Sequence, residues 1–275
     1  MPDIYRFVLG FHILAGLIGL AAFWTPAIAR KGGPTHVRAG RLFFWATCVV
    51  AGSGAIMASL LLVDPLGTKP LAANVSSPHR TAAIAAEIRV TSLFLFYLVL
   101  ITFVPVYHGV RVLATRRAPD TLRRPFHTAV HAAAILASAT MVVVGLAFRQ
   151  PVFFFMSPIG FLIGFGGLQF ARRPYPSPMA WWYEHLGSML GGGVAFHTAF
   201  LVLGAGRVLG LRLDSATAVI PWILPTVIGL PATVIWTSYY RRRFREDTIP
   251  NRESLIANHE SRITNPESRI ANHAS

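Results

Sequence analysis

Residues 7–29 read FVLGFHILAGLIGLAAFWTPAIA, and residues 43–63 read FFWATCVVAGSGAIMASLLLV. Neither stretch contains Asp, Glu, Lys or Arg, and each is long enough to cross a bilayer, which takes ~20 apolar residues. A backbone inside lipid must satisfy its own hydrogen bonds, so both stretches predict transmembrane helices. They place the chain among integral membrane proteins.

The same apolar pattern recurs along the chain and predicts an all-α bundle of about seven transmembrane helices. The predicted spans cover residues 4–29, 39–63, 83–112, 127–148, 152–171, 181–206 and 216–240. Composition agrees with this fold class, because 53% of the 275 residues are hydrophobic and only 13% are charged. Soluble domains have about 25% charged residues. Pro158 lies inside the fifth span and predicts a kink there.

Basic residues are distributed unevenly between the alternate connections of these spans. One side carries Arg30, Lys31, Arg38, Arg41, Arg111, Arg116, Arg117, Arg123, Arg124, Arg172, Arg173, Arg241, Arg242, Arg243 and Arg245. The other side carries only Arg6, Lys69, Arg80, Arg149, Arg207 and Arg212. Basic connections stay in the cytoplasm, so we expect the N-terminus outside and the C-terminus inside. The net charge of +14 then reflects the membrane topology of the chain. We expect the lipid bilayer as its partner and expect no binding of nucleic acid.

The chain divides into a helical region, residues 1–240, and a tail, residues 241–275. The tail repeats a seven-residue unit: ESLIANH at 253–259, ESRITNP at 260–266 and ESRIANH at 267–273. A coiled coil needs two apolar positions per heptad, whereas this repeat has one dependable isoleucine. We therefore expect a low-complexity, disordered cytoplasmic tail.

Histidines in or beside the predicted spans are the best candidates for chemistry, because polar groups at membrane depth usually face a bundle interior. There are seven: His12, His36, His108, His127, His131, His185 and His197. His12 lies about 12 Å, and His197 about 14 Å, from the outer ends of their helices. We therefore expect these two to meet in the outer half of the bundle.

Glycines accompany both outer histidines, with Gly16 and Gly19 on the face of His12 and a GGG run at 191–193 before His197. Such room suits a flat macrocycle held by two imidazoles. The leading hypothesis is therefore that the protein binds haem b, with His12 and His197 as axial ligands. It would then act in electron transfer and exchange electrons with a redox partner or a quinone. His36 and His185 would form a second ligand or proton site. A polar pair or a proton relay is the alternative for the outer histidines.

The motif HTAVH at 127–131 places His127 and His131 on one helix face, the spacing of a bidentate metal ligand. With His185 and Glu184, it predicts a zinc-type site at the cytoplasmic face, to which His36 or His108 could also contribute. This favours a metal-dependent membrane hydrolase, although the motif lacks the internal glutamate of zincins. Interfacial histidines without any ligand are the alternative.

A proton-coupled transporter or a sensor without catalysis forms a third functional class, with the histidines and Glu87 as its protonatable groups. The sequence does not decide whether the chain is an enzyme.

Several segments resemble bacterial multi-pass membrane proteins of the "domain of unknown function 2306" type. They are HILAG at 12–16, KGG at 31–33, HVRAGRLF at 36–43 and HLGSM at 185–189. HTAVH departs from the pattern, since a more Arg-rich opening is typical of that span. The resemblance implies an all-helical protein of the bacterial inner membrane and supports His12, His36 and His185 as site residues. It implies no reaction.

Overall fold

The computed structural model describes residues 1–70, 77–173, 177–205 and 220–245. All regular structure in these ranges is helical, and seven of the helices are long and apolar enough to cross a membrane. The predicted all-α membrane bundle is therefore confirmed. The orientation of the termini stays a prediction. Most of the predicted tail, residues 246–275, lies outside the described residues.

The helices are numbered in chain order. They are α1 (Pro2–Ile28), α2 (Pro34–Val63), a short α3 (Pro65–Thr68), α4 (Pro78–Ala114), α5 (Pro125–Ala147), α6 (Pro151–Arg172), α7 (Ala180–Ala199) and α8 (Ile220–Arg243). A 3₁₀ turn covers Pro119–Arg123, and a π-helical segment, Phe200–Ala205, continues α7. The chain forms two compact units, Met1–Thr233 and Val234–Ser275.

Proline begins most of the long helices. Pro2, Pro34, Pro78, Pro125 and Pro151 each occupy a first-turn position, where the fixed φ suits a helix and no amide hydrogen is needed. As a result α2 and α4 begin at residues 34 and 78, ahead of the predicted 39 and 83. The helices thus extend beyond their apolar runs.

The longest helix, α4, lies at the centre of the first unit and packs against α2, α5, α6 and α7. One buried cluster joins Phe94 and Tyr97 of α4 to Met141 of α5 and Phe153 of α6. Tyr97 also donates a hydrogen bond of 2.6 Å to the carbonyl oxygen of Met156. These contacts set the positions of α5 and α6 around α4.

Pro158 does not interrupt α6, which is helical from Pro151 to Arg172. A proline cannot donate to the carbonyl four residues earlier, here that of Phe154. The hydroxyl of Ser157 donates to this carbonyl at 2.7 Å instead. The helix therefore continues with the freed acceptor satisfied.

Small residues form the face that α6 turns toward α5. Ser157, Gly160, Gly164, Gly167 and Ala171 are all buried and recur every three or four positions. A Cβ atom added to Gly164 would lie 2.8 Å from the carbonyl oxygen of His131 on α5. The two backbones are therefore in direct contact, as small residues permit in membranes.

We expect Gly164→Ala to lower the free energy of unfolding by about 1–3 kcal/mol, because the new methyl group overlaps the α5 backbone. Gly166→Ala is the matched control, since its Cβ would meet no atom within 4 Å. Thermal unfolding of the two variants in the same detergent measures the difference. Equal stabilities would contradict the close contact of α5 and α6.

Candidate metal centre

Three imidazoles meet between α4 and α5. His108, near the end of α4, is 3% exposed, and His127 and His131, in the first turns of α5, are 1% and 0% exposed. One nitrogen from each ring can be chosen so that all three lie within 4.8 Å of one another. We call these three residues the histidine triad. Its nitrogens could hold a metal ion.

Within the triad, His131 has a defined tautomer. Its Nδ1 lies 2.7 Å from the carbonyl oxygen of His127, one turn earlier, and therefore donates a hydrogen. Its Nε2 consequently carries the lone pair. This atom is buried and has no hydrogen-bond partner in the described part of the chain. A buried nitrogen lone pair that accepts no hydrogen bond is available to coordinate a metal ion.

Gly167 of α6 packs directly against the ring of His131. A Cβ atom added to Gly167 would overlap both Nε2 and Cδ2 of His131. Any side chain at position 167 would therefore displace the imidazole. Glycine is needed here because of this close approach.

The other two rings have the spacing of ligands on one ion. His108 Nδ1 and His127 Nε2 lie 3.3 Å apart. Two nitrogens bound to a tetrahedral zinc ion at 2.0–2.1 Å are separated by about 3.3–3.4 Å. A proton bridges the two atoms when no ion is bound, and an ion would replace it. The remaining nitrogen of His127, Nδ1, is also buried without a partner among the described residues.

A carboxylate supports the triad from α7. Glu184 Oε1 lies 2.9 Å from His108 Nε2, and its side chain remains 32% exposed. His108 Nε2–H therefore donates to the carboxylate, which leaves the Nδ1 lone pair directed toward His127. A carboxylate behind a histidine is the usual means by which proteins fix the tautomer of a metal ligand.

Aromatic and aliphatic side chains enclose the triad. Tyr107 lies with its ring 5.8 Å from that of His127, and Phe170 meets His108 edge-on at 5.8 Å. Phe170 also packs on a buried cluster of Val112, Leu122 and Ala171. These contacts contribute to the burial of the His108 and His127 rings.

The two predicted haem ligands lie in separate places. His12 Nδ1 is 2.9 Å from the hydroxyl of Ser53 on α2. His197 donates from Nδ1 to the Gly193 carbonyl at 2.7 Å and accepts from Trp24 Nε1 at 3.1 Å. Trp24 is twelve residues beyond His12 on α1, about 18 Å along the axis. The structure does not bring His12 and His197 together, and both nitrogens of His197 are engaged.

His36 and His185 lie outside the triad. Each ring lies with Nδ1 near a main-chain carbonyl, that of Pro26 at 3.3 Å and that of Gly109 at 2.9 Å. Of the predicted zinc ligands, His127 and His131 lie together in the triad. Glu184 reaches the triad through its hydrogen bond to His108. His185 lies outside the triad and contacts the Gly109 carbonyl.

Lys31, in the connection between α1 and α2, approaches the same Pro26 carbonyl as His36. Its ammonium donates to the carbonyl oxygens of Pro26 and Ala27 at 2.7 and 3.0 Å. Burial lowers the pKa of Lys31. The lysine closes the end of α1 with charge-assisted hydrogen bonds, as cations do at helix C-termini.

The hydrogen bond between Trp24 and His197 predicts coupled effects on stability. Trp24→Phe and His197→Ala should each destabilise the protein, and their effects should deviate from additivity by about 0.6 kcal/mol, a typical value for such bonds in membranes. A double-mutant cycle of thermal unfolding in detergent measures the coupling. The cycle of Trp24→Phe with His12→Ala serves as control and should be additive.

No protein family matches the chain, and neither a curated protein sequence nor a solved structure matches it. The function is therefore inferred from the geometry of the histidine triad and its surroundings.

Proposed function

We propose that the chain is a membrane metalloprotein that holds one divalent transition-metal ion, of the zinc type, in the histidine triad. The unpartnered, fully buried Nε2 of His131 carries this proposal, together with the 3.3 Å separation of His108 Nδ1 and His127 Nε2. A buried polar atom without a partner is costly, and an ion would satisfy all three lone pairs at once.

The number and type of ligands favour a catalytic role over a purely structural one. Structural zinc sites use four protein ligands, whereas catalytic sites use three and keep one position open. The triad supplies three imidazoles, and Glu184 bonds to His108 and so serves as its orienting partner. An ion held there would supply Lewis acidity. The proposed reaction class is metal-dependent hydrolysis in or beside the membrane.

A second candidate function, proton transfer in a transporter or sensor, rests on one further observation. Glu184, His108 and His127 form a continuous chain of hydrogen bonds, from a half-buried carboxylate to a fully buried imidazole. Histidine chains of this kind relay protons at membrane depth. Such a relay needs no ion, so the metal content of the protein separates the two functions.

Metal analysis of the purified protein tests the first proposal. We expect about one zinc-type ion per chain in protein prepared without chelator, and a loss of most of it in His131→Ala and in His127→Ala. His197→Ala is the control and should keep its ion, because the described partners of His197, Trp24 and the Gly193 carbonyl, lie outside the triad. An ion-free wild-type protein would favour the relay, and a Soret band lost on His12→Ala would favour haem b.

Two variants that leave all three ligands in place test the surroundings of the triad. Glu184→Gln and Gly167→Ala should each weaken metal affinity about 10–100-fold, because one removes the charge behind His108 and the other displaces His131. Competition with a chromogenic chelator measures the affinity. Gly166→Ala is the control for Gly167→Ala. Unchanged affinity in both Glu184→Gln and Gly167→Ala would place the ion elsewhere.

A further inference from the structure

The outward side of α6, away from the triad, carries a groove of about 930 Å³. Its wall is aromatic for much of its length, with Phe155, Phe161 and Phe165 among the lining residues, and Val142 of α5 contributes to it. Phe155 is 72% exposed and the neighbouring Leu162 is 74% exposed. These side chains face lipid in a membrane, so the groove opens to the acyl-chain region.

One end of the same groove is polar and positively charged. Gln169 and Arg172 in the last turn of α6 line it, together with Arg173 directly after the helix. In the described ranges, no carboxylate lies within salt-bridge distance of either guanidinium. With its oxygen toward Arg173, the Gln169 amide accepts from that guanidinium at 2.8 and 3.2 Å. The groove thus joins an apolar wall to two arginines that have no acidic partner among the described residues.

Two main-chain carbonyls at this helix end already accept hydrogen bonds from a side chain. Arg123 donates from Nε to the carbonyl of Ala171 at 3.0 Å and from Nη2 to that of Arg172 at 3.4 Å. A third guanidinium therefore neutralises the negative end of the α6 dipole. Arg172 and Arg173 are left to attract an anion from outside the chain.

We propose that this groove binds an anionic phospholipid, with an acyl chain along the aromatic wall and the phosphate between Arg172 and Arg173. Guanidinium groups bind phosphate oxygens through paired hydrogen bonds. Basic residues at the end of a membrane helix attract anionic lipids in the same way. The order of apolar and basic residues along the groove matches the order of chain and headgroup in a lipid.

The length of the groove agrees with this occupant. From Phe161 to Arg172 the helix rises about 16 Å, close to half of the ~30 Å hydrocarbon thickness. A lipid of one leaflet with its phosphate at Arg172 would therefore reach Phe161, whose ring stacks with that of Phe165 at 6.1 Å. Gly166 also lines the groove and leaves space there, because an added Cβ would meet nothing within 4 Å.

Native mass spectrometry of the full chain in neutral detergent tests the proposal. We expect phosphatidylglycerol to bind at least tenfold more tightly than phosphatidylcholine of the same acyl chains. The R172Q/R173Q variant should lose this preference. R38Q/R41Q is the matched control, since both arginines are exposed residues of α2 outside the groove, and it should keep the preference.

Two further measurements separate the lipid from its headgroup. Gly166→Leu should weaken the binding of both lipids, because the leucine fills the acyl-chain space without disturbing the helix. Glycerol phosphate, the soluble headgroup alone, should not displace phosphatidylglycerol. Equal binding of both lipids by the wild type, equal loss in R38Q/R41Q, or full displacement by glycerol phosphate would each overturn the proposal. Metal content is expected to be unchanged in R172Q/R173Q, so this test stands apart from that of the triad.

Discussion

The direct contact between the backbones of α5 and α6 is the constraint on which the histidine triad depends. Gly164 lies against the carbonyl oxygen of His131, and Gly167 lies against its ring. Helices in membranes associate through close packing and hydrogen bonds more than through the hydrophobic effect. The absence of a side chain at Gly167 therefore has two effects: α6 can approach α5, and the His131 ring has room beside α6. In this position the centroid of the His131 ring lies 5.1 Å from that of His108.

Features that depend on a single helix could be predicted from the sequence, and features that depend on how two helices meet could not. The apolar runs predicted all seven spans, and the spacing in HTAVH predicted that His127 and His131 share a face. For the third imidazole the sequence offers His36, His108 and His185 alike. Only the rotation of α4 about its axis, set by contacts such as that of Tyr97 with Met156, selects His108.

The expected meeting of His12 and His197 shows why depth along each helix is insufficient. Distance from a helix end says where a residue lies on its own axis, but the shift of one axis against another is set by packing. Phe196 of α7 lies against Gly19 of α1, and Phe23 of α1 lies against Gly193 of α7. This interdigitation brings His197 to the level of Trp24 rather than to that of His12. The sequence of neither helix alone predicts this shift of one helix along the other.

Two reciprocal hydrogen bonds between α4 and α7 connect the triad to Glu184 and the neighbouring His185. His108 of α4 donates to Glu184 of α7, while His185 of α7 lies 2.9 Å from the Gly109 carbonyl of α4. Both bonds join consecutive residues on each helix, so together they hold α4 and α7 in one register. Glu184 is the partly exposed member, and it therefore links water to the buried triad. A movement of α7 would therefore act on α4 at two neighbouring points, on His108 through Glu184 and on the Gly109 carbonyl through His185.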